Sequence, residues 1–382
     1  DGLILSSVLA DADTFAGQYF GGITGYSYNA VLYDCETASG RAGGYSYDSA
    51  QQDKVLKGDY VGGIVGYGNY TILSNCETQK NGYVLGENYV GGIAGGLGNE
   101  VGSSIRNTEE VLVTTNRGYV IGKNYAGGIT GINTKGVTLE NCVNNGVAAA
   151  TEKSAGGIVG YNEYEAKIQD CVSYLSDYDS SIYNMIVDKW EATGDYVGGI
   201  AGYNNGAITF DSASQKVMVK SVSGIVAGGS YVGGIAGWGN DIRDCYSLIE
   251  VTKADEYIGT IAGDVDEDGE LSGNYFVGDA YGAVDDISYG GKAEPMEFAE
   301  LAAKAEIPTD FKNFELRFVA DDEVLKTVPF EYGADLSDVE YPEIPKKDGY
   351  NGKWEEADLS DMTFSKDLNV LYTTESTAVA SD

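Results

Sequence analysis

Three sets of side chains in this sequence have types and spacings that could do chemistry. Asp264, Asp266 and Asp268 put carboxylates at positions one, three and five of a short loop with Gly269 at position six. That is the front half of an EF-hand-like calcium loop, whose oxygen donors suit a hard cation. Position twelve is Tyr275 rather than a bidentate Glu, so a plain acidic turn stands beside the calcium reading. The second set is the five cysteines, Cys35, Cys76, Cys142, Cys171 and Cys245. Their number is odd and each falls at the same apparently inward position, so buried free thiols are expected, with Cys35/Cys76 and Cys142/Cys171 as the pairs a disulfide would join. The third set is aromatic. The insert from Ser173 to Gly194 carries Tyr174, Tyr178, Tyr183 and Trp190, the candidate ligand-binding residues.

Histidine is absent from all 382 residues. That removes the commonest general base, every Ser/His or Cys/His nucleophile pair and the two-histidine zinc helix. Without a neighbouring base the thiols have no route to a nucleophile role. Acidic residues are scattered through the loops with no repeated, tightly spaced pair, so no catalytic residue and no cofactor-binding residue is assigned, and the chain reads as non-enzymatic. A β-helix enzyme that cleaves polysaccharides with carboxylates is the alternative.

The elements that would position these groups are set by a repeat. An aromatic or small residue, an apolar one and then Gly-Gly-Ile-x-Gly recurs at Tyr19, Tyr60, Tyr89, Tyr125, Ser154, Tyr196 and Tyr231, with a worn eighth copy from Tyr257 in which Thr260 replaces the second glycine. The second-glycine positions are 22, 63, 92, 128, 157, 199, 234 and 260, giving steps of 41, 29, 36, 29, 42, 35 and 26. A second signature follows in five copies: Leu32-x-Asp34-Cys35, Leu73-x-Asn75-Cys76, Leu139-x-Asn141-Cys142, Ile168-x-Asp170-Cys171 and Ile242-x-Asp244-Cys245. Ile105-x-Asn107-Thr108 reads as the same site with Thr replacing Cys.

Short apolar runs cut by Gly, Asn and Asp predict strands and tight turns. In Val197-Gly198-Gly199-Ile200 the apolar residues are three apart, so a flat strand of period two cannot bury both, and a bend at Gly-Gly is required. By the same logic the Asn or Asp before each cysteine turns the chain in the left-handed region and returns the cysteine inward. Units of this size cannot bury their own apolar face, so stacked copies share one core. The expected fold is all-β: a parallel β-helix, right-handed by the crossover rule, with a propeller as runner-up.

The repeated Tyr-Val-Gly-Gly-Ile-Ala-Gly, verbatim at 89–95, 196–202 and 231–237, resembles the GLUG motif of bacterial surface proteins, over roughly residues 15 to 280. That motif also occurs in the IgA-specific metallopeptidases, whose zinc-binding His-Glu-x-x-His segment has no counterpart here. Beyond it, Glu294 to Lys304 predicts a short helix capping the stack, with Pro308 past its end. Alternation returns at Phe314-x-Leu316-x-Phe318, with strands also expected at Val324 to Phe330 and Leu368 to Tyr372. Tyr332-Gly333, Leu336, Pro342, Pro345, Gly349-Tyr350, Trp354 and Val370-x-Tyr372 resemble the Listeria-Bacteroides, internalin B-type repeat, which implies a β-grasp-like module. The expected division is 1–280 for the repeats, 281–312 for the linker and helix, 313–374 for the module and 375–382 for a linker tail.

Net charge is −35, which repels phosphate backbones and anionic lipid, so nucleic acid is not an expected partner. No apolar run is long enough to span a bilayer, and no apolar signal segment opens the sequence, which reads as a mature or trimmed chain. Both resemblances imply an extracellular protein at a bacterial cell surface or secreted, a monomer that displays loops to a host or matrix protein or glycan, or serves as a stalk.

Overall fold

The computed structural model describes residues 18–48, 53–98, 103–106, 113–175, 194–209, 218–221, 226–248, 251–278, 281–287, 289–305, 307, 309–321 and 323–374. The chain forms two compact units, Asp1–Glu306 and Ile307–Asp382. It is an all-β protein with parallel sheets in the first unit and one five-residue α-helix among the described residues.

Each repeat of the first unit visits three sheets in the same order. In the second repeat, Tyr60–Gly62 belongs to the first sheet, Val65–Ser74 to the second and Glu77–Gly86 to the third. The first sheet holds all eight glycine-marked segments in chain order, and every neighbouring pair is parallel. Its register aligns Tyr19, Tyr60, Tyr89, Tyr125, Ser154, Tyr196, Tyr231 and Tyr257 in one row. Parallel pairing of successive copies is incompatible with the antiparallel blades of a propeller.

The chain bends at Gly-Gly as the spacing demands. Val61 and Val90 enter one apolar cluster with Val84 and Val120, whereas Ile64 and Ile93 enter the main core. The second glycine is needed for close approach. A Cβ on Gly63 would lie 2.1 Å from the carbonyl oxygen of Gly92 in the next repeat and 2.6 Å from Thr78 Oγ1 across the interior. At Gly128 the corresponding distances are 2.1 Å to Gly157 O and 2.4 Å to Asn144 Oδ1. Thr260 fits in the eighth copy because its Oγ1 donates to Gly282 O at 3.1 Å. The parallel ladder then gives way to antiparallel bridges at Val284–Ile287 and Tyr289–Ala293.

The second sheet supplies an aliphatic row, Leu32, Leu73, Ile105, Leu139, Ile168, Ile208, Ile242 and Leu271, aligned from strand to strand. Asp34, Asn75, Asn141, Asp170 and Asp244 follow its members with φ of 51–55°. Each turns the chain and sends the next residue, a cysteine, inward. One expectation needs correction here. The residue aligned with Cys142 is Thr114, not Thr108; Asn107 and Thr108 lie outside the described residues. In the eighth repeat Gly273, with φ of 65°, takes the turn position and Asn274 takes the cysteine's place.

The helix spans Phe298–Ala302 and is shorter than expected. Residues Ala293–Pro295 extend the third sheet by pairing with Asn274–Phe276, so strand pairing claims the chain where Pro295 was expected to open a helix. Beyond the helix, the Lys304 ammonium sits 5.7 and 5.3 Å from the ring centres of Tyr246 and Tyr275, beside the third sheet.

The second unit is a four-stranded mixed sheet in the order Glu323–Phe330, Phe314–Ala320, Lys366–Thr374, Tyr350–Trp354. The two central strands are parallel and the outer pairings antiparallel. Leu316, Phe318, Leu359, Met362 and Leu368 form its core. Residues behind the second resemblance meet one another: Trp354 Nε1 donates to Pro342 O at 3.2 Å and the Tyr372 hydroxyl to Pro345 O at 2.8 Å. Gly333 and Gly349 have φ of 79° and 80°, turns a side chain would strain.

Candidate interaction surface

The interior of the first unit is occupied by packing and hydrogen bonds among equivalent residues. Two residues past each cysteine position a polar side chain points inward over the second glycine of its own repeat: Thr78, Asn116, Asn144, Ser173 and Ser247 are all buried there. Asn116 Nδ2 donates to Asn144 Oδ1 at 2.8 Å, and Asn144 Nδ2 to Ser173 Oγ at 3.3 Å. A second row runs through Asn133, Asn162 and Asn204, each two residues past a closing glycine, with Nδ2 to Oδ1 distances of 2.8 and 2.7 Å. Burying an amide is costly unless its groups are paired, and stacked copies pair them. The sequence reading followed apolar and cysteine spacing and missed both rows, although their constant offsets from the glycines and cysteines were there to be found.

All five cysteines are buried and unbridged. Each thiol donates to the carbonyl two residues before it, as Cys171 Sγ does to Gln169 O at 3.3 Å. Contact with the Cys76 thiol pulls Cys35 down to about 7, while Cys76 is pushed up by the same contact and by burial. Burial, then the Cys171 thiol, raises Cys142.

The aspartates of the acidic turn do not converge. Asp264 sits on the strand Ala262–Val265 and accepts the N–H of Val265 at 2.8 Å, while Asp266 accepts that of Asp268 at 2.9 Å. These backbone donors hold the carboxylates in separate local turns, and among the described residues no group of three His, Cys, Asp or Glu side chains could hold a metal ion. Asp264, Asp266 and Asp268 thus lie in one acidic turn, and the calcium reading of them stays an expectation. Of the candidate ligand-binding residues, Tyr174 lies on the third-sheet strand Val172–Leu175. Tyr178, Tyr183 and Trp190 lie outside the described residues.

What the repeat does present outward is aromatic. The first residue of each first-sheet strand, a tyrosine in all but the Ser154 copy, alternates with an apolar residue, so its ring stands on the flank. Successive rings stack: Tyr60 on Tyr89 at 4.9 Å between centres, Tyr89 on Tyr125 at 5.2 Å, Tyr196 on Tyr231 at 4.8 Å and Tyr231 on Tyr257 at 4.5 Å. A shorter row lies beside it, one residue past the closing glycine at Tyr26, Tyr67, Tyr161, Tyr203 and Trp238, with Gly96 and Ile132 in that place between. Tyr60 meets Tyr67 edge-on at 4.9 Å, and Tyr203 stacks on Trp238 at 4.7 Å with 14° between planes. Ser154 interrupts the first row. There its hydroxyl donates to Gly160 O at 2.6 Å, and Lys153 places its ammonium 5.4 Å from the centre of the Tyr125 ring.

Carboxylates and amides run beside the rings. Asn88 Nδ2 donates to Asp59 Oδ1 at 2.5 Å and Asn124 Nδ2 to Asn88 Oδ1 at 2.7 Å. Partial burial, then the neighbouring phenols and Asp59, pushes Tyr60 up to about 12. Tyr67, Tyr89, Tyr161, Tyr196, Tyr203 and Tyr231 are raised as well, with burial the first cause in each. The flank is thus a row of phenols flanked by carboxylates and amides.

Among known families, curated proteins and solved structures, none matches the chain. The surface therefore has to be read from its own geometry. One charged group elsewhere bears on chemistry: Arg243 lies 2.8 Å from Asp241 and 3.6 Å from Glu270, and burial raises Asp241 while the arginine opposes that shift. No helix among the described residues is long and apolar enough to cross a membrane.

Proposed function

We propose that the chain is a non-enzymatic, adhesin-like or stalk region of a bacterial cell-surface or secreted protein, in which a right-handed parallel β-helix of GLUG type displays its flank and loops. A β-grasp-like module of the Listeria-Bacteroides type follows it. The observation that carries this reading is the first-sheet register, in which eight glycine-marked segments lie side by side in chain order. Such stacking yields a rigid scaffold whose interior is spent on self-contact, leaving the flank and the variable loops for recognition. Right-handedness rests on the general preference of parallel crossovers, and location and family on the two sequence resemblances.

Binding of the intact chain to arrays of glycans and extracellular-matrix proteins tests this. Saturable binding to at least one array component, with no polysaccharide depolymerised, is the expected result. A second reading, a carbohydrate-cleaving β-helix, draws on the Asp241–Arg243–Glu270 group. It requires turnover of a pectic or uronic polysaccharide that Asp241→Asn abolishes, and that result would replace the display reading.

A further inference from the structure

The aromatic rows end in a corner that differs from the rest of the flank. Trp238 stacks on Tyr203 through one face, but the residue aligned with it in the next repeat is Asp264, so no ring covers its other face. Tyr196, Tyr231 and Tyr257 stack alongside. Asp195 and Glu256 directly precede Tyr196 and Tyr257 in the chain. These carboxylates act on the phenols: Asp195 contributes to the raised pKa of Tyr196, Asp264 and Glu256 to that of Tyr231, and Asp266 to that of Tyr203, in each case after burial. Among the residues whose side chains are described, no lysine or arginine pairs with Asp195, Glu256, Asp264 or Asp266, and none lies over the corner's rings.

The same chain shows what such a stack accepts. Lys153 approaches Tyr125 at the break in the row, and Lys304 sits over both members of the stacked pair Tyr246 and Tyr275. A sugar would need ring faces to lie on, and here most faces cover one another, leaving hydroxyls, ring edges and carboxylates outward. A primary ammonium is attracted by all of these, and by the −35 net charge behind them.

We propose that the corner formed by Tyr196, Tyr231, Trp238 and Tyr257 with Asp195, Glu256 and Asp264 is a docking site for a lysine-rich, extended segment of a partner protein. It rests on the display reading and names the partner chemistry of that flank.

The test is fluorescence anisotropy of fluorescein-labelled decalysine with the whole chain at physiological salt, where distant charges are screened. The triple variant Asp195→Asn/Glu256→Gln/Asp264→Asn should weaken binding about tenfold. The charge-matched control Asp338→Asn/Glu343→Gln/Glu356→Gln, all exposed in the second unit, should weaken it by less than about twofold if the site is local. Trp238→Phe should retain binding and Trp238→Ala lose it, with unchanged circular-dichroism melting showing that the fold survives. Equal losses in both triple variants would mean general polyanion attraction and would overturn the proposal, as would absence of decalysine binding or displacement of decalysine by neutral chitohexaose. Array binding that persists without decalysine binding would leave the display reading standing and remove this one.

Discussion

The two units of this chain reach stability by opposite means. In the first, like meets like: asparagine bonds to asparagine, tyrosine stacks on tyrosine, and from Gly22 to Gly157 each second glycine backs onto the second glycine of the next repeat. In the second, unlike residues distant in sequence converge. The Phe318 ring stands edge-on to Trp354 at 5.3 Å, Arg317 grips Asp367 through two hydrogen bonds of 2.6 and 2.8 Å, and Trp354 reaches the Pro342 carbonyl. The difference teaches where a mutation is felt. In the repeats a substitution strikes the copies on either side, whereas in the module it strikes one core assembled once.

Gly92→Ala should break the first pattern most severely. The new Cβ would lie 2.2 Å from Gly128 O and 2.5 Å from the Asn116 carboxamide, so neither backbone nor core can yield cheaply. A loss on the order of 4 kcal/mol is expected, read by denaturant unfolding, and a loss below about 1 kcal/mol would show that adjacent repeats are not held this closely. In the module, Phe318→Ala should cost about 3–5 kcal/mol by leaving a core cavity. Calorimetry should show the melting transition of residues 307–382 lowered while that of the repeats stays in place; a common shift of both would break the contrast between the units.

Asn162→Ala tests the like-with-like rule more finely. It leaves Asn204 Oδ1 without its donor and removes one of the acceptors of Asn133 Nδ2, which keeps Val137 O and Lys167 O, and should cost about 1–3 kcal/mol, chiefly for the unsatisfied buried oxygen. A chemical-denaturation loss no larger than that of an exposed Asn→Ala would argue against the ladder. The smallest effect is on pH dependence. Tyr60 is held at about 12, above the ordinary tyrosine value of about 10. A raised folded-state pKa means that the contribution to stability is complete below pH ~10 and is lost as pH rises toward the folded-state value. Absorbance at 295 nm should show a late-ionising tyrosine class that Tyr89→Phe shifts earlier, with melting temperature falling across the same window.

Much of the first unit was legible because its physics repeats. The odd spacing of Val and Ile around Gly-Gly demanded a bend, and in the earlier copies, as at Val61/Ile64 and Val90/Ile93, the two residues enter different apolar clusters, whereas Val197/Ile200 and Val232/Ile235 share the main core. The Asn or Asp before each cysteine was expected in left-handed geometry and has it. Each of these is a local rule, decided within a few residues. The role of the second glycine was only half legible, since the side chain that needs its space comes from the third sheet, at Thr78, Asn116 or Asn144. The partners of Asp264 and Asp266 were not legible either: the N–H groups of Val265 and Asp268 donate to their carboxylates, and the calcium reading stays an expectation. In the module, strands Phe314–Ala320 and Glu323–Phe330 were legible from alternation, while Tyr350–Trp354 was not, because its residues are mostly exposed and its place is fixed by pairing with Lys366–Thr374. The aromatic insert is represented among the described residues by Tyr174, so its reading stands as an expectation.

The uneven steps between copies have a consequence for how this scaffold can change. The first-sheet register is kept whether the intervening stretch runs to 26 residues or to 42. Excursion length is thus uncoupled from position along the stack. A segment can grow, shrink or be exchanged at one level without displacing what is shown at any other, so new specificities can be tried on a frame that does not have to be redesigned.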